Sequence, residues 1–319
     1  MSASLCEFEL IRRFFVGIGP DCSDELVLGI GDDCAVVNVP NGMSLCLSVD
    51  AMVEGVHFPA GCSARHIAYR ALAAALSDLA AMGATPSHFT LSLTLPAAEA
   101  FWLAEFAKGL SALADLFQLP LVGGDTTKGP LTIALQVHGL VPVGTALQRS
   151  GAKPGDWLAV SGSLGDAGAA LSLLNVKNPN SNQSFLLDRY YRPVPRIDQG
   201  LQLRELASAG IDISDGLLAD AGHLAAKSGV ALKIDSTKIP LSKALKAEFG
   251  SRALDLAASA GDDYELLFAI SEQNWQQLTL RHPDHMYTLI GQVTSGEGVS
   301  LCRDGGQIQI TQQGFQHFE

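Results

Sequence analysis

Carboxylates stand in this chain where apolar packing should be, and that placement limits its possible folds more than any other feature. The run Leu26-Val-Leu-Gly-Ile-Gly-Asp-Asp-Cys-Ala-Val-Val37 reads as one half-buried strand, yet its middle holds Gly29, Gly31, Asp32 and Asp33. Strand propensity and burial both disfavour those residues. The same oddity, an Asp at the end of an apolar strand or inside an apolar helix, recurs at Asp50, Asp78, Asp125, Asp212 and Asp215. One such Asp is ordinarily a turn or helix cap. A series of them predicts segments that converge on a divalent-metal site.

Local patterns say where these acids sit. Residues 5–16 read as a short amphipathic helix (Leu5, Phe8, Ile11, Phe15). Segment 44–50 alternates, with Leu45, Leu47 and Val49 on one face and Cys46, Ser48 and Asp50 on the other. Ser48 and Asp50 therefore project together as oxygen donors. Ser63 caps an Ala-rich helix over 64–82, ended by Gly83 and Pro86, with Asp78 where packing is tightest. A strand over 89–95 comes next, then a helix over 99–119 with Trp102, Phe106, Leu110, Leu113 and Phe117 on its apolar face. Gly123-Gly-Asp-Thr-Thr127 follows at a strand end, where paired glycines let a backbone approach a ligand. A further strand covers 131–141.

At 319 residues, 47% of them hydrophobic and 17% charged, the chain is long enough for two cores. The glycines and prolines of 141–156 follow no period and predict the boundary, giving domains over 1–145 and 146–319. The second half reads as a strand over 157–161, a Gly-rich turn over 162–165 and a helix from Asp166. A polar excursion over 175–184 reads as a loose surface loop. A helix near 196–208 precedes a strand over 211–215 that ends in carboxylates, and a helix over 217–227. Strand 230–235, helical segments over 241–259, the turn Gly261-Asp-Asp-Tyr-Glu265, strand 266–270 and strands near 287–293, 299–303 and 307–311 complete it. The 162–165 turn has the look of a phosphate loop, although such turns carry glycine for steric reasons alone.

A net charge of −12 excludes a nucleic acid or anionic membrane held by a basic surface. An anionic ligand needs a cation to bring it in. The six cysteines form no C-x-x-C pair and no zinc-like grouping with His, so they read as reduced, mostly buried thiols. With an acidic N-terminus followed by no apolar signal region, that points to the cytoplasm. The most apolar run, 71–82, contains Asp78 and falls short of the roughly 20 apolar residues a bilayer crossing needs. Oxygen-only donors suit Mg²⁺ or Mn²⁺, and neighbouring carboxylates raise each other's pKa unless such cations are present. Mg²⁺ sites combine carboxylates with substrate phosphates, which makes a nucleotide or other polyphosphate the natural companion. The familiar nucleotide motifs are missing: Cys34 stands where a dinucleotide fingerprint needs its third glycine, and no P-loop or protein-kinase signature occurs.

Seven motifs, in order, carry a resemblance. They are Gly-Ile-Gly-Asp-Asp-Cys-Ala (29–35), Ser-Val-Asp (48–50) with Val56-His57-Phe58, Ser-Asp-Leu-Ala-Ala-Met-Gly-Ala (77–84), Gly-Gly-Asp-Thr-Thr (123–127), Arg-Ser-Gly-Ala-Lys-Pro-Gly-Asp (149–156), Asp-Ile-Ser-Asp-Gly-Leu (212–217) and Gly-Asp-Asp-Tyr-Glu-Leu (261–266). Together they resemble the thiamine-monophosphate kinase family, part of the ATP-using superfamily typified by aminoimidazole ribonucleotide synthetase. The resemblance implies a two-domain fold of mixed α+β and α/β character. N-terminal strands would form a barrel across a homodimer, and a C-terminal α/β domain would close over nucleotide and substrate. It implies ATP plus thiamine phosphate giving ADP plus thiamine diphosphate, with several Mg²⁺ ions. By position it assigns metal binding to Asp33, Ser48, Val49, Asp50, Asp78, Asp125, Asp212 and Asp215, with Asp78, Asp125 and Asp215 at the reacting groups. Gly124, Asp125, Arg149 and Ser214 match ATP contacts; His57, Asp262 and Phe315 match groups near the thiamine.

Two departures stand out. Val49 replaces a Thr common in relatives, so a ligand role there runs through the backbone, and Asp262 stands where Glu is expected, a shorter reach. Asp32 faces away from Asp33 on a strand, which leaves it to orient the loop. The implied reaction suits the residues. A phosphate monoester has a second pKa near ~6, so the acceptor is already largely a dianion and needs no general base. Catalysis then consists of metal screening and in-line positioning. Rival readings are a selenophosphate-forming or hydrogenase-maturation ATPase, a metal-dependent phosphohydrolase, and a nucleotide-binding module without turnover.

Overall fold

The computed structural model describes residues 6–20, 25–284 and 286–308, which divide into two compact units, Met1–Leu79 with Ala84–Gly144, and Ala80–Gly83 with Thr145–Glu319. Phe315 lies outside the described residues. Among the described residues no helix is long and apolar enough to cross a membrane.

The first unit runs α1 (Glu7–Phe14), β1 (Leu26–Leu28), β2 (Val36–Val37), β3 (Met43–Val53), α2 (Ala64–Ala81), β4 (Thr85–Leu95), α3 (Ala100–Leu116), β5 (Leu121–Lys128) and β6 (Thr132–Pro142). Its main sheet has the order β3-β6-β4-β5, antiparallel except between β4 and β5. Phe89, Leu91, Leu93, Leu95, Ile133, Leu135 and Val137 are buried along its central strands. Helix α2 is almost wholly buried, and its many alanines are what allow that, since small side chains let a helix approach its neighbours closely. Alternation along β3 holds as read, but the apolar face is the open one: Leu47 and Val49 are 57% and 61% exposed. The single strand expected over 26–37 is two short antiparallel strands around a loop. Gly31, at φ +132, bends the chain out of the extended conformation its β-forming neighbours favour.

The second unit contains β7 (Trp157–Ser161), α4 (Asp166–Ala170), α5 (Ser181–Tyr191), α6 (Ile197–Leu203), β8 (Ala207–Ile213), α7 (Leu217–Ser228), β9 (Ala231–Asp235), α8 (Lys243–Phe249), α9 (Ala253–Ser259), β10 (Glu265–Ile270), α10 (Glu272–Arg281), β11 (Tyr287–Thr294), β12 (Gly298–Arg303) and β13 (Gly306–Ile308). Seven strands form one sheet in the order β13-β12-β9-β11-β7-β10-β8. Its core joins Leu158, Val160, Ile211, Ile213, Leu232 and Leu267 to Leu217, Ala221 and Leu224 of α7. The loop expected over 175–184 is partly helix: Asn180 caps α5, its side chain accepting from the Gln183 N–H at 2.9 Å while the Gln183 side chain accepts from the Asn180 N–H. The helix expected near 196–208 stops at Leu203, and β8 begins at Ala207. Helix α10, capped by Ser271, was not foreseen.

The described cysteines are free thiols, but none of the five is buried; Cys6 and Cys34 are exposed and Cys46, Cys62 and Cys302 half-covered. Cys34 sits in the glycine loop and Cys46 on an edge strand, places without a full packing shell.

Candidate active site

In the first unit the expected residues fall into two groups. On the side of β3 opposite the open apolar face, Ser48 Oγ donates to Asp78 Oδ2 of α2. Asp50 lies beside them, its pKa pushed up to about 6 by burial and by the charge of Asp78. Two half-buried carboxylates, with a serine hydroxyl bonded to one of them, form an oxygen-only donor set that fits a hard cation such as Mg²⁺. Val49 points to the open face, so only its backbone lies on the donor side. At the end of β3, His57 Nδ1 accepts the Val53 N–H at 3.0 Å, leaving Nε2 as the protonated nitrogen of a neutral ring.

The second group lines a cavity of about 910 Å³, where Asp33 of the β1–β2 loop comes together with Gly124 and Asp125 of β5, beside His88, Gln136 and His138. Asp32 shapes the loop by accepting the Asp33 N–H at 2.8 Å. The Gly123–Thr127 segment lies within β5 rather than beyond its end. Gly124, at φ +152, packs so closely that a Cβ would overlap the Leu91 carbonyl oxygen; no other residue fits.

Sheet register separates the two groups. Asp50 lies opposite Leu135, Leu135 opposite Leu91, and Leu91 opposite Gly124. Asp50 and Gly124 thus occupy one row, three strand spacings or about 14 Å apart, on opposite edges of the sheet. Within one copy of the chain, Asp50 and Asp125 do not share an ion.

In the second unit, β8 delivers buried Asp212 and then a turn whose Ser214, Asp215 and Gly216 N–H groups all donate to Asp220 Oδ2, at 3.0, 3.1 and 3.1 Å. Burial and the charge of Asp215 push Asp220 up to about 7 in spite of those three bonds. Ligating atoms of Asp215, Asp220 and His223 lie within 4.8 Å of one another. Beside this turn runs Gly261–Tyr264, with the Asp262 N–H donating to Ser214 O and the Tyr264 N–H to Ile213 O, both at 2.8 Å. Arg149 is exposed, and its carbonyl accepts from Ser228 Oγ at 2.9 Å.

The Gly162–Gly165 turn is not a phosphate loop. Its Gly165 N–H donates to Asp263 Oδ2 at 2.6 Å, so a carboxyl group of the protein already takes the donor a phosphate oxygen would need. Asp263 belongs to a buried ionic cluster that sequence reasoning missed. Glu265, fully buried, accepts from Arg189 Nη2 at 2.9 Å, Arg196 Nε at 2.6 Å and Ser161 Oγ at 2.5 Å. Burial alone would raise the Glu265 pKa, but Arg196 and Arg189 hold it below the ordinary value. Asp220 had one sequence signal, an acid four residues past a glycine at a helix start; Arg189 and Arg196 had none.

Comparison with known proteins places this geometry. Residues 31–141 match AIR synthase related protein, N-terminal domain, and residues 153–302 match its C-terminal domain, which sets the class as the AIR synthase related two-domain proteins. Thiamine-monophosphate kinase of Escherichia coli (strain K12) is 44% identical over 319 residues, covering 98% of each chain. The crystal structure of thiamine-monophosphate kinase from Stenotrophomonas maltophilia K279a matches with a TM-score of 0.83 and 43% identity over 88% of this chain and 92% of that one. AaThiL complexed with AMPPCP and TMP matches with a TM-score of 0.80 and 34% identity over 91% and 92%. The chain belongs to the thiamine-monophosphate kinase family.

Proposed function

We propose that the chain transfers the γ-phosphoryl group of ATP in line to thiamine monophosphate, yielding thiamine diphosphate and ADP with the help of Mg²⁺. Near-full-length identity to thiamine-monophosphate kinases supports the activity. The observation that carries the chemistry is the Asp50–Asp78 pair, two neighbouring carboxylates, with Ser48 bonded to Asp78, whose mutual repulsion a bound cation relieves. Bound among these carboxylates, Mg²⁺ would supply the positive charge that lets the polyphosphate and the acceptor dianion approach. Asp33, Ser48, the Val49 backbone, Asp50, Asp78 and Asp125 hold metal from residues 1–145; Asp212 and Asp215 do so from 146–319. Gly124 and Ser214 give nucleotide contacts close to the backbone, and Arg149 supplies a charge for the polyphosphate in an otherwise acidic molecule. His57 and Asp262 contribute at the thiamine end. Reduced thiols support a cytoplasmic setting.

A homodimer follows from the same reading. Asp50 and Asp125 sit on opposite edges of an open sheet whose free face carries Leu45, Leu47 and Val49. Closing that sheet with a second copy covers the apolar face and sets each edge against a partner edge. The test of the activity is incubation with ATP, Mg²⁺ and thiamine monophosphate: thiamine diphosphate is expected, and free phosphate without it refutes the kinase. For the dimer, mixing inactive D50N and D125N chains is expected to restore about a quarter of wild-type activity, because half the dimers are mixed and each has one intact site. No recovery means that the two acids serve different ions.

A further inference from the structure

The turn between β8 and α7 has its backbone engaged from several sides. Ser214, Asp215 and Gly216 all donate their N–H groups to one atom, Asp220 Oδ2, and Asp220 is 3% exposed. Asp220 reaches back from the first turn of α7, where its own N–H donates to Gly216 O at 3.0 Å. Gly216, at φ +118, lies so close to the Ser259 carbonyl oxygen that a Cβ there would overlap it. The Ser214 carbonyl accepts the Asp262 N–H. Three N–H groups that converge on one point form a nest suited to an anion. In this chain the side chain of Asp220 fills the nest, so those donors are taken. What the turn keeps near the surface is two half-buried residues, Ser214 and Asp215, while Gly216 and Asp220 are buried.

We propose that Asp220 is a positioning residue for the nucleotide: by gathering the three N–H groups on one oxygen, it fixes the turn from which Ser214 and Asp215 reach ATP and its metal. Without that acceptor the turn regains backbone freedom that nucleotide binding must then remove. The Gly261–Tyr264 turn has anchors of its own, through Asp263 on the Gly165 N–H and Glu265 between Arg189 and Arg196. Loss of Asp220 is therefore felt at the nucleotide rather than at the thiamine end. This rests on the reading that Ser214 and Asp215 meet the nucleotide and its metal.

Steady-state kinetics of D220A and D220N test it. In D220A three N–H groups lose their acceptor, and the KM for ATP and the Mg²⁺ concentration for half-maximal rate should each rise about tenfold. The KM for thiamine monophosphate should stay within about twofold, because the contact removed orients one substrate only. D220N keeps a carbonyl oxygen in the same place, so it should bring both raised constants back to within about threefold of wild type. A D220A enzyme with an unchanged KM for ATP overturns the proposal. So does one whose two KM values rise together, the mark of general loosening. If D220N behaves as D220A does, or loses turnover while folded, the charge of Asp220 matters rather than its hold on the turn, and the proposal falls. Should D220A not fold at the assay temperature, D220S takes its place: its short hydroxyl cannot gather three N–H groups, so the same split is expected and the same outcomes decide. If S214A and D215N both leave the KM for ATP and the Mg²⁺ requirement unchanged while thiamine diphosphate still forms, the turn is not at the nucleotide. The proposal then falls with the kinase assignment intact.

Discussion

Acidic residues of the two units live under opposite conditions. In the second unit Asp166, Asp220, Asp263 and Glu265 are buried, and each accepts from N–H groups, hydroxyls or arginines of the same unit. In the first unit Asp50 and Asp78 stand close enough for the charge of one to act on the other, with Ser48 bonded to Asp78, and Asp33 and Asp125 are exposed in a cavity. Asp220 also has an acid beside it, Asp215, but its three backbone N–H donors make it architecture, whereas the Asp50–Asp78 pair is available to a cation. Burial alone therefore does not mark a functional carboxylate here. The kind of partner does.

The largest expected effect breaks the first-unit arrangement. D78N should lower thiamine diphosphate formation by about a thousandfold or more, as removal of a charge-stabilising group at a reacting centre does. Without Mg²⁺ its urea midpoint should equal or exceed that of the wild type, because the substitution removes repulsion with Asp50. Near-normal turnover in D78N would sink the cation reading of this pair.

E265Q tests the other side of the comparison. It leaves Arg189 and Arg196 without their shared buried carboxylate, and breaking a buried pair in this way costs about 3–5 kcal/mol. The loss should appear in urea denaturation, while the fraction still folded keeps a turnover near wild type. A variant that keeps its stability and loses turnover would instead move Glu265 from scaffold to chemistry.

What the sequence made legible follows the range of the interactions. The alternation of 44–50 placed Ser48 and Asp50 on one side of β3 because a strand's period is local, and Ser63 and Gly83 bracketed α2 for the same reason. Local signals were also overlooked: Asn180 with Gln183 is a capping pair inside a segment read as loop, and Ser271 caps a helix that went unread. The Glu265 cluster was beyond such reading. Its arginines stand 76 and 69 residues away, and no periodicity links them. Likewise, the separation of Asp50 from Asp125 needed the strand order, which motif spacing does not contain. The reading of residues 26–37 as one strand failed because apolar propensity outweighed two glycines in the reading but not in the fold.

The last expected effect gives the two units opposite responses to pH. In the second unit, burial pushes Asp263 up to about 8, above the roughly 3.9 of an unfolded chain. The folded state then holds a proton that the unfolded state releases, so this contribution is full below about pH 4 and is lost as pH rises toward 8. In the first unit His88, stacked on His138 with ring centroids 4.2 Å apart, is pushed down to about 4 by burial and by its neighbour. Its unfolded value is about 6.5, so its contribution is full above that pH and is lost as pH falls toward 4. Denaturation midpoints measured from pH 5 to pH 8.5 should therefore lose their alkaline decline in D263N and their acid decline in H88Q. If the two substitutions flatten the same limb, the contrast between the units does not extend to their protons.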